Sequence, residues 1–332
     1  MRRERNVKSW SLPGRALHKL YRMTYETPIR RRIASGVFFL PPSRPVEDDV
    51  SFSVHMLVCR RDVTMAVCTA KVANLAFDMP LPWVFHDDGS LSNEEEHAFK
   101  TNLPGCTVVR RAEADRVARE RLSDYPEILK YRDNQVMALK LVDAQVWGRG
   151  TRRAYIDSDI LFFQKPEFML DALQGRREKN FFNRDIANAF VRPADEIEKE
   201  VGLRPLDRLN AGLWVLHDDV IDLDIIESWL QHPAFSRNLY DYTLDQTFIS
   251  MLANSSRDGV EHLPPTYDVV FRKEVETSVN KHYVGAIRHN YELEGLRYLL
   301  RELDFERRWD LFVNGSRRRA SQPANAESTV GQ

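Results

Sequence analysis

Two acids one residue apart, Asp157 and Asp159, interrupt an otherwise apolar, β-prone run from Tyr155 to Phe163. Carboxylates at the end of a buried strand need a cation or hydrogen bonds to offset the loss of water. A divalent metal is the chemistry that this pattern suggests. Side chains two apart on an extended strand share a face, so Asp157 and Asp159 would point the same way and Ser158 would point away. One carboxylate could then bind the ion directly while the other shares it with a phosphate. The plainer reading of the same triplet is a polar strand end, close to the helix that Pro166 and Glu167 open.

Four other features carry chemical groups. Asn210-Ala211-Gly212 places an amide and two small residues before the apolar run Leu213-Trp214-Val215-Leu216, where a ligand could approach the backbone closely; a turn would read the same way. Asp245-Gln246 opens an apolar helix, and Asp is also a good residue for a helix N-terminus. In the segment from His282 to His289, an imidazole could complete a metal site, Gly285 could admit a phosphate and Arg288 could pair with a diphosphate. Lys140, between Leu139 and Leu141, is either a cation for the same site or an ordinary solvated helix residue.

The elements that must position these groups alternate. Strands are expected at 52–59, 82–86 and 106–110, with an apolar helix at 63–77 and another opening at Asn93. Residues 113–147 are rich in helix formers, broken at Pro126, and lead through Gly148 and Gly150 into the Asp157 strand. Further strands are expected at 180–183 and 213–216, and helices at 223–230 and 245–253. Such alternation implies an α/β fold with a mostly parallel central sheet flanked by helices, with ligands beyond the carboxyl ends of its strands.

Composition bounds the answer. With 332 residues, 43% hydrophobic and 29% charged, the chain can bury a large core. Cys59, Cys68 and Cys106 form no even set and no CxxC pair, so neither a disulfide framework nor a structural zinc is expected. A cytoplasmic setting follows from that reading, since no apolar run is long enough to span a bilayer. Residues 1–32 carry ten Lys/Arg against two acids, a charge of +8, and the remainder is −9. That asymmetry suggests either a solvated basic leader or peripheral contact with an anionic membrane, while nucleic acid lacks a supporting motif. The expected organisation is a basic leader and Pro-rich linker over 1–49, a catalytic domain over 50–312 and a disordered tail over 313–332.

Taken together and in order, Ile156-Asp157-Ser158-Asp159, Asn210-Ala211-Gly212, Asp245-Gln246 and His282-x-x-Gly285-x-x-Arg288 resemble the nucleotide-sugar glycosyltransferases of the GT-A fold, most nearly glycosyltransferase family 8. That family has an LDxD strand, an Asn-[Ser/Ala]-Gly strand entry, an Asp-Gln helix start and an HxxGxxKPW element. The resemblance covers about residues 52–290, and Lys140-Leu141 is similar to the family's Arg-Leu pair. Two departures stand out. Arg288-His289-Asn290 replaces Lys-Pro-Trp, leaving His289 as an alternative to His282, and Cys59-Arg60-Arg61-Asp62 replaces the usual base-binding strand end, leaving the nucleobase open.

The resemblance implies a Rossmann-like GT-A fold and a hexosyltransferase-like enzyme using a nucleoside diphosphate sugar, a UDP-sugar being favoured, with an acceptor hydroxyl of unassigned class. It implies that Asp157, Asp159 and His282 bind Mn²⁺ or Mg²⁺. Lys140, Gly285 and Arg288 would hold the nucleotide diphosphate, Asn210 with Asp245 and Gln246 would surround the transferred sugar, the last two as catalytic residues, and Asp157, Ser158, Ala211 and Gly212 would also contact the nucleotide sugar. Retention at the anomeric carbon is the expected outcome. Inversion would instead need a base, for which Asp185 is the candidate. The competing readings are a catalytically silent binding or scaffold protein of this fold and a metal-dependent phosphohydrolase or nucleotidyltransferase. A haloacid-dehalogenase-like phosphatase would carry Thr or Val where this chain has Leu161.

Overall fold

The computed structural model of the chain describes residues 22–47, 50–272 and 274–320. Its centre is a seven-stranded sheet built from β1 (Phe52–Val58), β2 (Trp83–Asp87), β3 (Thr107–Val109), β4 (Arg152–Ile156), β6 (Asn180–Arg184), β7 (Leu209–His217) and β8 (Val260–His262), in the spatial order β3-β2-β1-β4-β7-β6-β8. Six strands run parallel; β7 alone is reversed, pairing antiparallel with both β4 and β6. The chain therefore has the mostly parallel α/β architecture expected of it.

Alternating side chains feed two apolar layers. On β4, Ala154 and Ile156 join one buried cluster and Tyr155 the other; on β7, Leu213 and Val215 face one way, Trp214 and Leu216 the other. A sheet covered on both faces leaves little room for polar side chains, and those that β1 and β4 carry, Ser53 and His55 with Arg152 and Arg153, are buried. Those in β1 are satisfied internally: His55 Nδ1 lies 2.8 Å from His86 Nε2 on β2, and His55 Nε2 lies 2.9 Å from Ser53 Oγ. Burial holds both imidazoles neutral, pushing His86 down to about 4 and His55 well below its ordinary value.

The helices are α1 (Thr27–Phe38), α2 (Val63–Phe77), α3 (Asn93–Asn102), α4 (Arg111–Arg121), α5 (Pro126–Asn134), α6 (Val142–Trp147), α7 (Glu167–Leu173), α8 (Ala194–Val201), α9 (Leu223–Gln231), α10 (Leu244–Ser255), α11 (Arg297–Arg301) and α12 (Phe305–Ala320). Pro126 takes the first turn of α5, where its missing N–H is no loss. Buried Arg132 of α5 binds Asp143 of α6 through two hydrogen bonds of 2.7 and 3.0 Å, clamping the helices that flank the 3₁₀ turn Val136–Lys140.

From the segment read as a leader, α1 packs into the domain. Ala34 and Val37 are buried in the same cluster as β1, and Arg30 Nε donates to Glu292 at 2.8 Å. The ammonium of buried Lys71 donates to the carbonyls of Val37 (3.4 Å), Phe38 (2.9 Å) and Leu40 (2.7 Å), satisfying the C-terminal end of α1. Residues 1–21 of that segment, and the part of the expected tail beyond 320, lie outside the described residues. Among the described residues no helix is long and apolar enough to cross a membrane.

A second, two-stranded sheet pairs β5 (Ile160–Phe162) antiparallel with β9 (Asn280–His282), with Ile160 opposite His282. The expectation that the acid pair sits on one continuous strand is corrected by it. Strand β4 ends at Ile156, Asp157 to Asp159 form a turn, and the chain re-enters extended structure in the other sheet. Likewise, Asn210, Ala211 and Gly212 lie within β7 and not before it.

Candidate metal and diphosphate site

β1 is flanked by β2 on one side and β4 on the other, so chain order reverses there and the carboxyl ends of β1 and β4 open a crevice. The turn after β4 delivers Asp157 and Asp159 to that crevice. Its shape is set by both sheets: Tyr283 N, next to β9, donates to the Asp159 carbonyl at 2.9 Å, and Asp157 N donates to the carbonyl of Gly212 in β7 at 2.8 Å. Thr69 of α2 donates its hydroxyl to the Ser158 carbonyl at 2.7 Å, so Ser158 contributes a backbone anchor.

Asp157, Asp159 and His282 each present one ligand atom, all within 4.8 Å of one another. His282 Nε2 lies 3.0 Å from Asp159 Oδ1 and 3.6 Å from Asp157 Oδ2. Two carboxylates and an imidazole form a donor set that could hold a divalent metal ion. Gly212 supplies the space: a Cβ there would lie 2.3 Å from His282 Cε1, 2.6 Å from Asp157 Oδ2 and 2.9 Å from Asn210 Oδ1. The residues present therefore fit a divalent ion, held by the same three side chains. His289 is not part of this group.

Two cations border the acids. Lys140, at the end of its 3₁₀ turn, is buried with Nζ 3.0 Å from Asp157 Oδ1 and 4.8 Å from the centre of the Tyr155 ring. Burial opposes its charge, but Asp157 and then Asp245 outweigh that and raise its pKa. Arg288 Nη2 donates to Asp62 Oδ2 at 2.7 Å, and its Nε lies 3.8 Å from Asp159 Oδ2. Burial also resists ionisation of Asp159, and His282 above all, with Arg288 and Lys140, holds it below the usual range. For His282 burial is likewise overcome, chiefly by Asp159, and its pKa is raised.

The remaining residues are placed as follows. Buried Asp245, at the start of α10, is pushed up to about 6 by burial, which Lys140 opposes and Asp157 reinforces; its Oδ1 has no hydrogen-bond partner among the described residues. Gln246 spends both amide atoms on backbone, accepting from Ala211 N (3.0 Å) and donating to the Ala189 carbonyl (3.1 Å). Asn210 Nδ2 donates to Asp185 Oδ2 at 2.6 Å, while Asn210 Oδ1 meets His282 Nδ1 at 3.1 Å and Gly212 N at 2.9 Å. Gly285 is exposed at the start of the 3₁₀ turn Gly285–Ile287, where a Cβ would meet nothing within 4 Å. Asp62 and Tyr155 were not singled out as site residues by sequence. Asp62 had a signal, being the last residue of the polar segment that ends the first strand.

No known family's sequence profile matches the chain, and neither does any curated protein. Among solved structures, it is similar to mouse xyloside xylosyltransferase 1 in its apo form, at 12% identity over 71% of this chain and 98% of that one, with a TM-score of 0.46. It is similar to core-mannan synthase A from Aspergillus fumigatus in a Mn/GDP form, at 12% identity over 67% and 75%, with a TM-score of 0.43. A third likeness is to the glycosyltransferase GlyE of Streptococcus pneumoniae, at 12% over 78% and 64%, with a TM-score of 0.44. These three lie below a TM-score of 0.5, so the reading of the site rests on its own residues.

Proposed function

We propose that this chain is a metal-dependent glycosyltransferase that moves a sugar from a nucleoside diphosphate sugar, UDP-linked by preference, to an acceptor hydroxyl with retention of configuration. One observation carries the reading: three metal-ligand side chains and two cations, Lys140 and Arg288, converge at the carboxyl end of a mostly parallel sheet. Such a cluster suits a diphosphate that gains negative charge as it leaves.

Held by Asp157, Asp159 and His282, Mn²⁺ or Mg²⁺ supplies Lewis-acid neutralisation of the departing diphosphate. The Lys140 ammonium adds a fixed, desolvated positive charge on the same side. Arg288 can exchange its contact with Asp62 for a phosphate oxygen, a guanidinium being suited to paired oxygens. Gly285 leaves open space at the backbone beside it. With its pKa near 6 and one oxygen unpartnered, Asp245 can accept from or donate to a sugar hydroxyl. Gln246 braces β7 against the loop at Ala189. In the reaction the bond from the anomeric carbon to the diphosphate oxygen breaks, the acceptor oxygen bonds to that carbon from the same face, and the proton of the acceptor hydroxyl passes to the departing diphosphate oxygen.

The test is calorimetry with UDP-, GDP- and dTDP-sugars in Mn²⁺, in EDTA, and with the Asp157→Ala/Asp159→Ala variant. Metal-dependent binding of one donor, abolished in the variant, is the expected result. Absence of binding to every donor under every metal condition sinks the reading.

A further inference from the structure

We propose that Asp185 and Asn210 are positioning residues that set the tautomer of His282, turning its Nε2 lone pair toward Asp157 and Asp159. The inference rests on the metal site of the proposed function and assigns that site a hydrogen-bonded support.

The argument begins at the amide of Asn210, whose two ends are distinguished by different partners. Its Nδ2 lies 2.6 Å from Asp185 Oδ2, and a carboxylate only accepts. Its Oδ1 lies 2.9 Å from Gly212 N, and a backbone N–H only donates. Reversing the amide would set oxygen against oxygen on one side and N–H against N–H on the other, so its orientation is determined twice over. The same Oδ1 lies 3.1 Å from His282 Nδ1. An acceptor at that distance requires the hydrogen on Nδ1, so an ion that displaces the Nε2 hydrogen facing the acids in the metal-free chain meets the lone pair on Nε2. Nε2 is the nitrogen facing the acids, at 3.0 Å from Asp159 and 3.6 Å from Asp157. A metal-ligating imidazole needs this arrangement: one nitrogen free for the ion, the other fixed by a partner in the next shell of contacts.

Asp185 is itself held. Its N–H donates to the Arg208 carbonyl at 2.7 Å, and its Oδ1 accepts from Ile186 N at 2.7 Å. The pairing of β6 with β7, which sets Asn183 opposite Asn210 and Arg184 opposite Leu209, brings the carboxylate alongside the Asn210 amide. Both Asp185 oxygens and both Asn210 amide atoms are therefore engaged within the protein. This arrangement supports an orienting role for the pair over a general base at Asp185 or a sugar contact at Asn210.

The experiment uses the full chain and Mn²⁺ itself as probe, with affinity read by electron paramagnetic resonance. In Asp185→Asn, with Ile186 N still holding the oxygen of the new amide, an N–H faces Asn210 Nδ2 and opposes the orientation that Gly212 N favours, and Mn²⁺ affinity should fall about 10- to 100-fold. The exchanged pair Asp185→Asn/Asn210→Asp restores an acceptor to Gly212 N and His282 Nδ1 and a donor opposite it, and affinity should return to within about 3-fold of wild type. Nitrogen-15 histidine spectra of the wild-type chain with Mg²⁺ should show the hydrogen of His282 on Nδ1. Unchanged affinity in Asp185→Asn, or an exchanged pair no better than the single variant, overturns the proposal. So does a wild-type His282 with its hydrogen on Nε2, a readout that stands even if the variants fail to fold. None of these measurements uses a sugar donor. A chain that behaves as expected here but binds no nucleotide sugar would lose the glycosyltransferase reading and keep this one.

Discussion

Gly212 and His282 are packed so closely that a single methyl group on Gly212 would lie 2.3 Å from the imidazole Cε1. The glycine is required by the neighbouring side chains: three site residues occupy the volume that any other residue at this position would fill. Gly212→Ala is predicted to displace His282 or Asp157 and to weaken Mn²⁺ binding at least about tenfold, the scale of disturbed ligand geometry. Titration of Mn²⁺ into the variant checks this, and wild-type affinity would contradict it.

Lys140 compensates Asp157 before any ion binds. Lys140→Met should therefore destabilise the metal-free chain by roughly 1–3 kcal/mol, the cost of leaving a partly buried carboxylate without its partner. A divalent ion would replace the lost charge, so the deficit should narrow in saturating Mn²⁺. Urea denaturation of both proteins with and without the ion measures it, and a deficit indifferent to Mn²⁺ would uncouple Lys140 from the acids.

Lys71 carries a structural prediction. Its ammonium meets three carbonyls where α1 ends, and Lys71→Met leaves them without that donor in a buried place. A loss of about 2–4 kcal/mol is expected. Hydrogen exchange should accelerate across residues 34–40 before it does in β1 or β4.

The His55–His86 pair predicts acid sensitivity. His86 titrates near 4 in the folded chain because it is buried, Asp143 raising and Arg132 lowering the value to lesser degrees. Its unfolded value is about 6.5, so between those limits the unfolded chain binds the extra proton. Stability is thus fully retained above about pH 6.5 and lost as pH falls toward 4, at about 1.4 kcal/mol per pH unit for His86. Denaturation midpoints across that range should fall less steeply in His86→Gln than in wild type, and equal slopes would exclude the pair as the cause.

The α/β alternation was readable because the central strands carry short apolar runs, such as Met56-Leu57-Val58 and Trp214-Val215-Leu216, and some helices open on a recognisable residue, as with Pro126. Asp157 and Asp159 were readable as a pair, but the turn between β4 and β5 was not. It depends on β5 pairing with β9, a contact that no local pattern encodes. Asn210 was expected just before a strand because a polar residue weakens a strand signal; its amide is satisfied by Asp185, His282 and Gly212 within the ladder. Helix α8 was hidden in a polar stretch because it buries a single side chain, Ile197. Asp62 entered the site through Arg288, a partner far along the chain.

The pairing of β5 with β9 also orders events in time. Two of the three ligand side chains leave the ribosome with the first half of the chain, whereas His282 emerges only after β6, β7, β8 and the helices between them. A nascent chain therefore cannot assemble the Asp157–Asp159–His282 cluster until all seven strands of the main sheet have been synthesised. Metal affinity in this protein would then be a signature of completed folding, and truncation ahead of β9 would leave all seven strands of the main sheet and both acids but no His282 to complete the cluster.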